Sequence, residues 1–208
     1  MAASGRPRRD LLVRFALDGP EPRVDVGADH GFVAADIGAI ASERQIVRGR
    51  PLGLDWVTAD GLDCFRDLGT AVIAGMGYRS IGRILERGPR VERAVLHAQD
   101  DPCALRVWLA ANGWRIVQEG LAPEARRFAE VVVAVPGHEA HTGLELEYGP
   151  VLLHDGDPWL LTHLAQLEGH LARLVEQTRP VRSVWEGHVA RLEFVRRQRA
   201  RLDPALDG

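Results

Sequence analysis

Between Arg23 and Val135 the chain alternates short apolar runs with stretches whose apolar residues recur every three or four positions. The short runs predict strands at Arg23–Val26, Gln45–Val47, Asp55–Thr58, Ala71–Ala74, Arg93–His97, Trp114–Glu119 and Glu130–Val135. The longer spacing predicts helices at Phe32–Ala41, Ser80–Arg87 and Pro102–Asn112. Pro102 suits the first turn of a helix and Asn112-Gly113 its stop. Such alternation predicts an α/β fold with a mostly parallel sheet covered on both faces. Leu121–Arg127 has no helical pattern, so the last two strands should form an antiparallel hairpin at one end of the sheet.

The pattern changes at Pro158. Leu160, Leu161, Leu164, Leu167, Leu171, Leu174 and Val175 fall at helical spacing, and Val184, Trp185, Val189, Leu192 and Val195 repeat it after Pro180. Two amphipathic helices broken near Thr178-Arg179-Pro180 predict a helical hairpin. The expected division is an α/β domain over 1–137, a Gly- and His-rich linker over 138–157 and an arginine-rich hairpin over 158–208.

Charge adds one asymmetry. All 26 basic residues are arginine, and against 29 acids they leave a net −3. Leu171–Leu202 holds eight arginines and three acids, a local +5, so the rest of the chain carries −8. That arm could meet an anion or be a solvated helix face, and charge alone does not separate the two. No apolar run approaches the roughly 18 residues of a membrane span. No apolar signal core follows the basic MAASGRPRRD. Two cysteines, Cys64 and Cys103, make no disulfide framework and are expected in the core. A cytoplasmic protein is the expectation.

Three stretches could carry chemistry. Asp25-Val-Gly-Ala-Asp-His-Gly31 follows the first predicted strand, where an open α/β sheet binds its ligands. Gly27 would let a ligand approach the backbone, and Asp29 and His30 sit where a helix begins, Asp29 being equally a plain N-cap. Asp60-Gly61 follows the third strand and could receive an amine-bearing ring or simply close a turn. Ala74-Gly75-Met76-Gly77 opens from a buried strand, where the glycines admit either a flat ligand or tight packing. His138, His141 and His154 match no zinc spacing, and no metal is expected.

Taken in order, VDVGADHGFV, TADGL, VIAGMG with IGRIL, LRVWLAANGWRIVQEGL, FAEVVVAVPG and EYGPVLL resemble the bacterial TrmK-type tRNA (adenine-N1)-methyltransferases over roughly residues 10–200. The resemblance implies a class I methyltransferase fold, Rossmann-like, with S-adenosyl-L-methionine as methyl donor, a C-terminal helical appendage and tRNA as partner. It places Asp25, Gly27, Ala28, Asp60, Gly61, Ala74 and Gly75 at the cofactor. Met76, Gly77, Tyr78 and His97 fall at the target base, and Arg196 and Arg197 at the tRNA backbone. Asp29, with His30 beside it, is the candidate for the charge that methylation creates.

The chain also departs from that family. Only about seven residues separate Ile46-Val47 from Asp55, too few for a crossover helix. The acid that holds the cofactor ribose after strand two is not found there, and Glu43 could serve only with a shifted register. The second glycine of a Gly-Met-Gly-Gly run is Tyr78, a Gln-Pro pair is His97-Ala98, and Tyr-Tyr-Glu reads Phe128-Ala129-Glu130. An inactive RNA-binding relative and a methyltransferase for another substrate are the alternatives.

Overall fold

The computed structural model describes residues 6–45, 53–125 and 127–203. Helix α1 (Pro7–Leu17) is followed by β1 (Arg23–Val26), α2 (Phe32–Ile37), β2 (Ile40–Glu43), β3 (Trp56–Thr58), β4 (Thr70–Met76), α3 (Tyr78–Arg87), β5 (Arg93–Ala98) and α4 (Pro102–Ala111). Strands β6 (Trp114–Pro123) and β7 (Phe128–Pro136) and helices α5 (Gly143–Tyr148), α6 (Pro150–Asp155), α7 (Leu160–Thr178) and α8 (Arg182–Leu202) complete it. Among the described residues the strands form one seven-stranded sheet, ordered β3-β2-β1-β4-β5-β7-β6. β7 runs antiparallel to both neighbours and the other pairings are parallel. The carboxyl ends of β1 to β5 therefore share one edge, and the order reverses direction between β1 and β4.

Period-two alternation divides the core. Val131 and Val133 face the layer that holds Leu11, Leu12 and Phe15 of α1 and Ile37 of α2. Val132 and Ala134 face Ile81 of α3 and Leu105 and Leu109 of α4. Helix α1 was not expected from the pattern. It begins at Pro7, and Arg23 caps its far end by donating to the carbonyls of Ala16, Leu17 and Gly19.

The second strand is the main correction. α2 stops at Ile37 because Gly38 takes a left-handed conformation, φ 62°, that ends the helix. Residues 40–43 then pair with β1 and β3, Asp25 opposite Ala41 and Ala41 opposite Trp56. The helix expected to reach Ala41 is thus shorter. Of the strand expected at 45–47, residues 46 and 47 lie outside the described residues. Residues 44–55 join β2 to β3, and 46–52 lie outside the described residues too, so the helix expected to be missing there is not tested.

The stretch read as a linker contains α5 and α6. Thr142 Oγ1 accepts the Glu145 N–H at 3.3 Å and the Glu145 carboxylate accepts the Thr142 N–H at 2.7 Å, a reciprocal cap. Leu146, Tyr148, Leu152 and Leu153 are buried, and α6 packs on β6. α7 and α8 form the expected hairpin around Leu164, Leu171, Leu192 and Val195. Cys64, expected in the core, is exposed in the turns that follow β3.

An ion cluster around the fully buried Arg106 joins these parts. Arg106 of α4 donates to Glu119 of β6 and to Glu130 of β7, each at 2.6 Å. The other Glu119 oxygen accepts the N–H groups of Val151 at 2.8 Å and Leu152 at 3.2 Å, in the first turn of α6. Burial alone would lower the Arg106 pKa, but Glu119 and then Glu130 outweigh it and hold the guanidinium above its ordinary value. Arg106→Met leaves buried carboxylates without their cation. It should cost about 3–5 kcal/mol, read as a melting temperature lower by on the order of 10 °C.

Asp25 is a second buried charge. Its carboxylate accepts the Ala34 N–H of α2 at 3.1 Å. Burial raises its pKa from the ordinary 3.8 to about 7, the Ala34 hydrogen bond pulls it down, and the charge of Glu43 pushes it up again. An acid titrating higher in the fold than in the unfolded chain stabilises fully below its unfolded pKa and loses that contribution as pH rises through its folded pKa. Asp25→Asn keeps an acceptor for Ala34. In urea unfolding it should gain on the wild type by roughly 2–3 kcal/mol between about pH 5 and pH 8.

Candidate active site

The loops after β1 to β4 meet at the carboxyl edge, as their positions on parallel strands require. Gly27, φ 71°, turns the chain out of β1, and a Cβ there would lie 2.3 Å from Met76 Cε. The Gly27 and Ala28 N–H groups donate to Ser42 O at 2.8 and 3.2 Å, which locks the first loop to β2. Ser42 Oγ donates to Gly61 O at 3.2 Å and ties in the turn after β3. Asp29 is held at φ 49°, a left-handed conformation rare for a residue with a side chain. Its carboxylate is largely exposed and lies 3.7 Å from His30 Nε2.

Two cavities open on this edge and share Gly27. The larger, about 690 Å³, takes in Asp25, Ala28, Asp29, His30, Ala74 and Gly75, with α1 and the hairpin loop at Glu124 on its far side. The smaller, about 180 Å³, takes in Glu43, Asp60, Gly61 and Met76. Glu43 is the residue that sequence reasoning set aside. As the last residue of β2 it faces the small cavity, with Oε2 3.4 Å from the Asp29 N–H and Oε1 2.8 Å from the Arg44 N–H. An acid does stand at the end of strand two, because the strand ends earlier in the chain than expected. The signal for it was Gly38, a helix stop two residues before β2 begins at Ile40.

Other expected residues lie outside both cavities. Gly77 precedes α3, and the Tyr78 N–H donates to Asp100 at 2.9 Å. His97 is buried. Its Nδ1 lies 3.0 Å from Glu130 O and its Nε2 3.5 Å from Arg8 Nη1, so Nδ1 carries the proton and Nε2 accepts. Burial holds its pKa low, and the ring is neutral. It lines a separate cavity of about 290 Å³ against α7, with His163, Gln166 and His170. Arg196 donates to Glu168 of α7 at 2.9 Å, and Arg197 is exposed on α8. Arg191 also pairs with Glu147, and Arg199 with Glu168, so much of the arm's charge is matched by acids at its base.

A class I cofactor fits this arrangement. Glu43 at the end of β2 offers two acceptor oxygens to adjacent hydroxyls, Asp60 lies beside it, and the glycine loop leaves no Cβ between the two cavities.

Comparison with known proteins agrees with this geometry. A model of the TrmK family, tRNA (adenine(22)-N(1))-methyltransferase, matches residues 38–186. A Mycoplasma pneumoniae protein assigned as a tRNA methyltransferase is 29% identical over 166 residues, 68% of this chain and 78% of that one. A Streptococcus pneumoniae protein assigned as a tRNA (m1A22) methyltransferase superposes with a TM-score of 0.77 at 24% identity, over 95% of this chain and 100% of that one. The Bacillus subtilis m1A22 tRNA methyltransferase TrmK superposes at 0.71 with 21% identity, over 95% and 99%. The architecture is that of the class I methyltransferases, and the chain belongs to the TrmK family of tRNA (adenine(22)-N(1))-methyltransferases.

Proposed function

We propose that this chain transfers a methyl group from S-adenosyl-L-methionine to N1 of an adenine in tRNA, at the position-22 type of site that names its family. The observation that carries the reading is the meeting of Gly27–His30, Glu43, Asp60-Gly61 and Ala74–Met76 at one sheet edge around adjoining cavities of about 690 and 180 Å³. The bound cofactor supplies an electrophilic methyl on a sulfonium. Glu43 would accept from its ribose hydroxyls and Asp60 would face its adenine, since both line the small cavity. The target adenine enters the large one.

N1 of adenine has a lone pair in the ring plane. Attack forms the N–C bond as the C–S bond breaks, and the bonding pair stays on sulfur. The protein's task is to align these atoms and exclude water. An adenine within folded RNA must first leave its stack. The product base is a cation. Asp29, at the cavity mouth and turned outward by its left-handed backbone, balances that charge or accepts a proton from the exocyclic amine. His30 stands beside it, with Nε2 3.7 Å from the carboxylate. An acid at the end of β2 supports the reading of an active enzyme over an inactive relative.

The test is incubation with tRNA and cofactor followed by nucleoside mass spectrometry. 1-Methyladenosine should appear at one site, and tRNA left unmodified by a chain that binds the cofactor would sink the reading. Glu43→Gln should raise the cofactor Kd by about tenfold with the fold intact by melting. Asp29→Asn should instead lower kcat by about 10²-fold or more and leave the cofactor Kd close to wild type.

A further inference from the structure

The far wall of the large cavity is built by the first turn of α1, and it is basic. Arg6, Arg8 and Arg9 all line the cavity, opposite Asp25, Asp29 and Gly75. Arg6 and Arg9 each place the guanidinium 5.2 Å from the centre of the Phe32 ring, which is 43% exposed. Arg9 is fixed further by Asp36 at 2.6 Å and by the Phe32 carbonyl at 3.1 Å. Arg8 reaches Glu124 at 3.1 Å and His97 at 3.5 Å. The helix starts at Pro7, and its first turn lines the same cavity through Pro7, Arg8 and Arg9.

The geometry points to this turn of α1 as a phosphodiester-binding rim for the RNA strand that carries the target base. The inference rests on the tRNA reading above and adds a contact surface to it. Four observations support it. The chain is acidic overall, and by −8 outside the C-terminal arm, so its long-range field does not draw a polyanion to the cavity. Asp29 stands exposed at the same cavity, so phosphates arriving there meet a carboxylate as well. A strand whose base enters the cavity keeps its phosphates at the mouth, where local cations must hold them. Guanidiniums stacked on Phe32 are already ordered, so binding a phosphate costs them little rotamer freedom, and their planar N–H forks suit phosphate oxygens.

The small cofactor could use the same arginines through its carboxylate, and the test separates the two. An Arg6→Gln/Arg8→Gln variant is compared with wild type for tRNA affinity at several salt concentrations and for cofactor affinity by calorimetry. Both side chains lie outside the core, and a melting curve confirms the fold. The expected result is a tRNA Kd raised about tenfold or more. The slope of log K against log salt should fall by about 1–2, with the cofactor Kd within about twofold of wild type. Arg6→Lys/Arg8→Lys should recover most of the salt slope, because it keeps the charge. An unchanged tRNA Kd and slope overturns the inference while leaving the tRNA reading intact, provided the wild type still makes 1-methyladenosine. A raised cofactor Kd with unchanged tRNA binding also overturns it and assigns the arginines to the cofactor. A wild type that does not methylate tRNA overturns the functional reading and this inference with it.

Discussion

The structure turns on the charge of Arg106. A guanidinium with no exposed side-chain surface must meet acids, and it meets one from each strand of the β6–β7 hairpin. Glu119 then uses its second oxygen to cap α6, and the Glu147 carbonyl accepts from Arg106 at 3.5 Å. Gly149 sits where a side chain would come within 3.0 Å of Arg106 and 3.1 Å of Glu119. Such a cluster is weak evidence for net stability, since its desolvation offsets much of its attraction. Its effect is positional. It fixes how the sheet, α5 and α6 meet, and so where the helical hairpin departs. It also explains why LRVWL, QEGL, FAEV and EYGP stand together in this chain, for each supplies a residue to one buried contact.

The carboxyl edge obeys a different constraint. Parallel strands place their outgoing loops on one side of a sheet, and five of the seven strands, β1 to β5, deliver those loops together. The loops are then tied to one another, Gly27 and Ala28 to Ser42, Ser42 to Gly61 and Tyr78 to Asp100. Asp25 is buried under that surface: it anchors α2 through Ala34, and burial raises its pKa to about 7. The exposed and strained Asp29 is the acid that faces solvent. Two carboxylates four residues apart thus serve unlike ends because one is under the loop and the other on it.

Much of this was legible in the sequence, and the failures share a cause. The strands β4 and β5, the β6–β7 hairpin and the α7–α8 pair follow from strong periodicity and were placed within a few residues. β2 was not, because Ile40-Ala-Ser-Glu43 is short, carries one β-branched apolar residue and follows an alanine-rich helix without a break other than Gly38. Its strand conformation comes from pairing on both sides, with β1 and β3, which no local pattern reports. α1 was hidden by its arginines, and α5 and α6 by glycines and histidines that read as a linker. The Arg106 cluster was invisible for a further reason. An arginine amid Leu105 and Leu109 looks like the solvent side of an amphipathic helix until the partner acids, distant in sequence, are brought to it.

The same chemistry that calls for a carboxylate at the cavity makes the arginines at its edge necessary. Methylation of a neutral ring nitrogen creates a cation, and carboxylates near it lower the energy of that charge. Those carboxylates also repel the phosphates of the RNA that must deliver the base. In a chain of net −3 the two demands are met locally, by arginines of α1 that line the same cavity as Asp29. Arg8 and Arg9 are held by Glu124 at 3.1 Å and Asp36 at 2.6 Å, acids other than Asp29, while Arg6 stands over Phe32. An RNA strand seated there would bring its phosphates within a screening length of the arginines and its base within reach of the acids, and neither set would have to move.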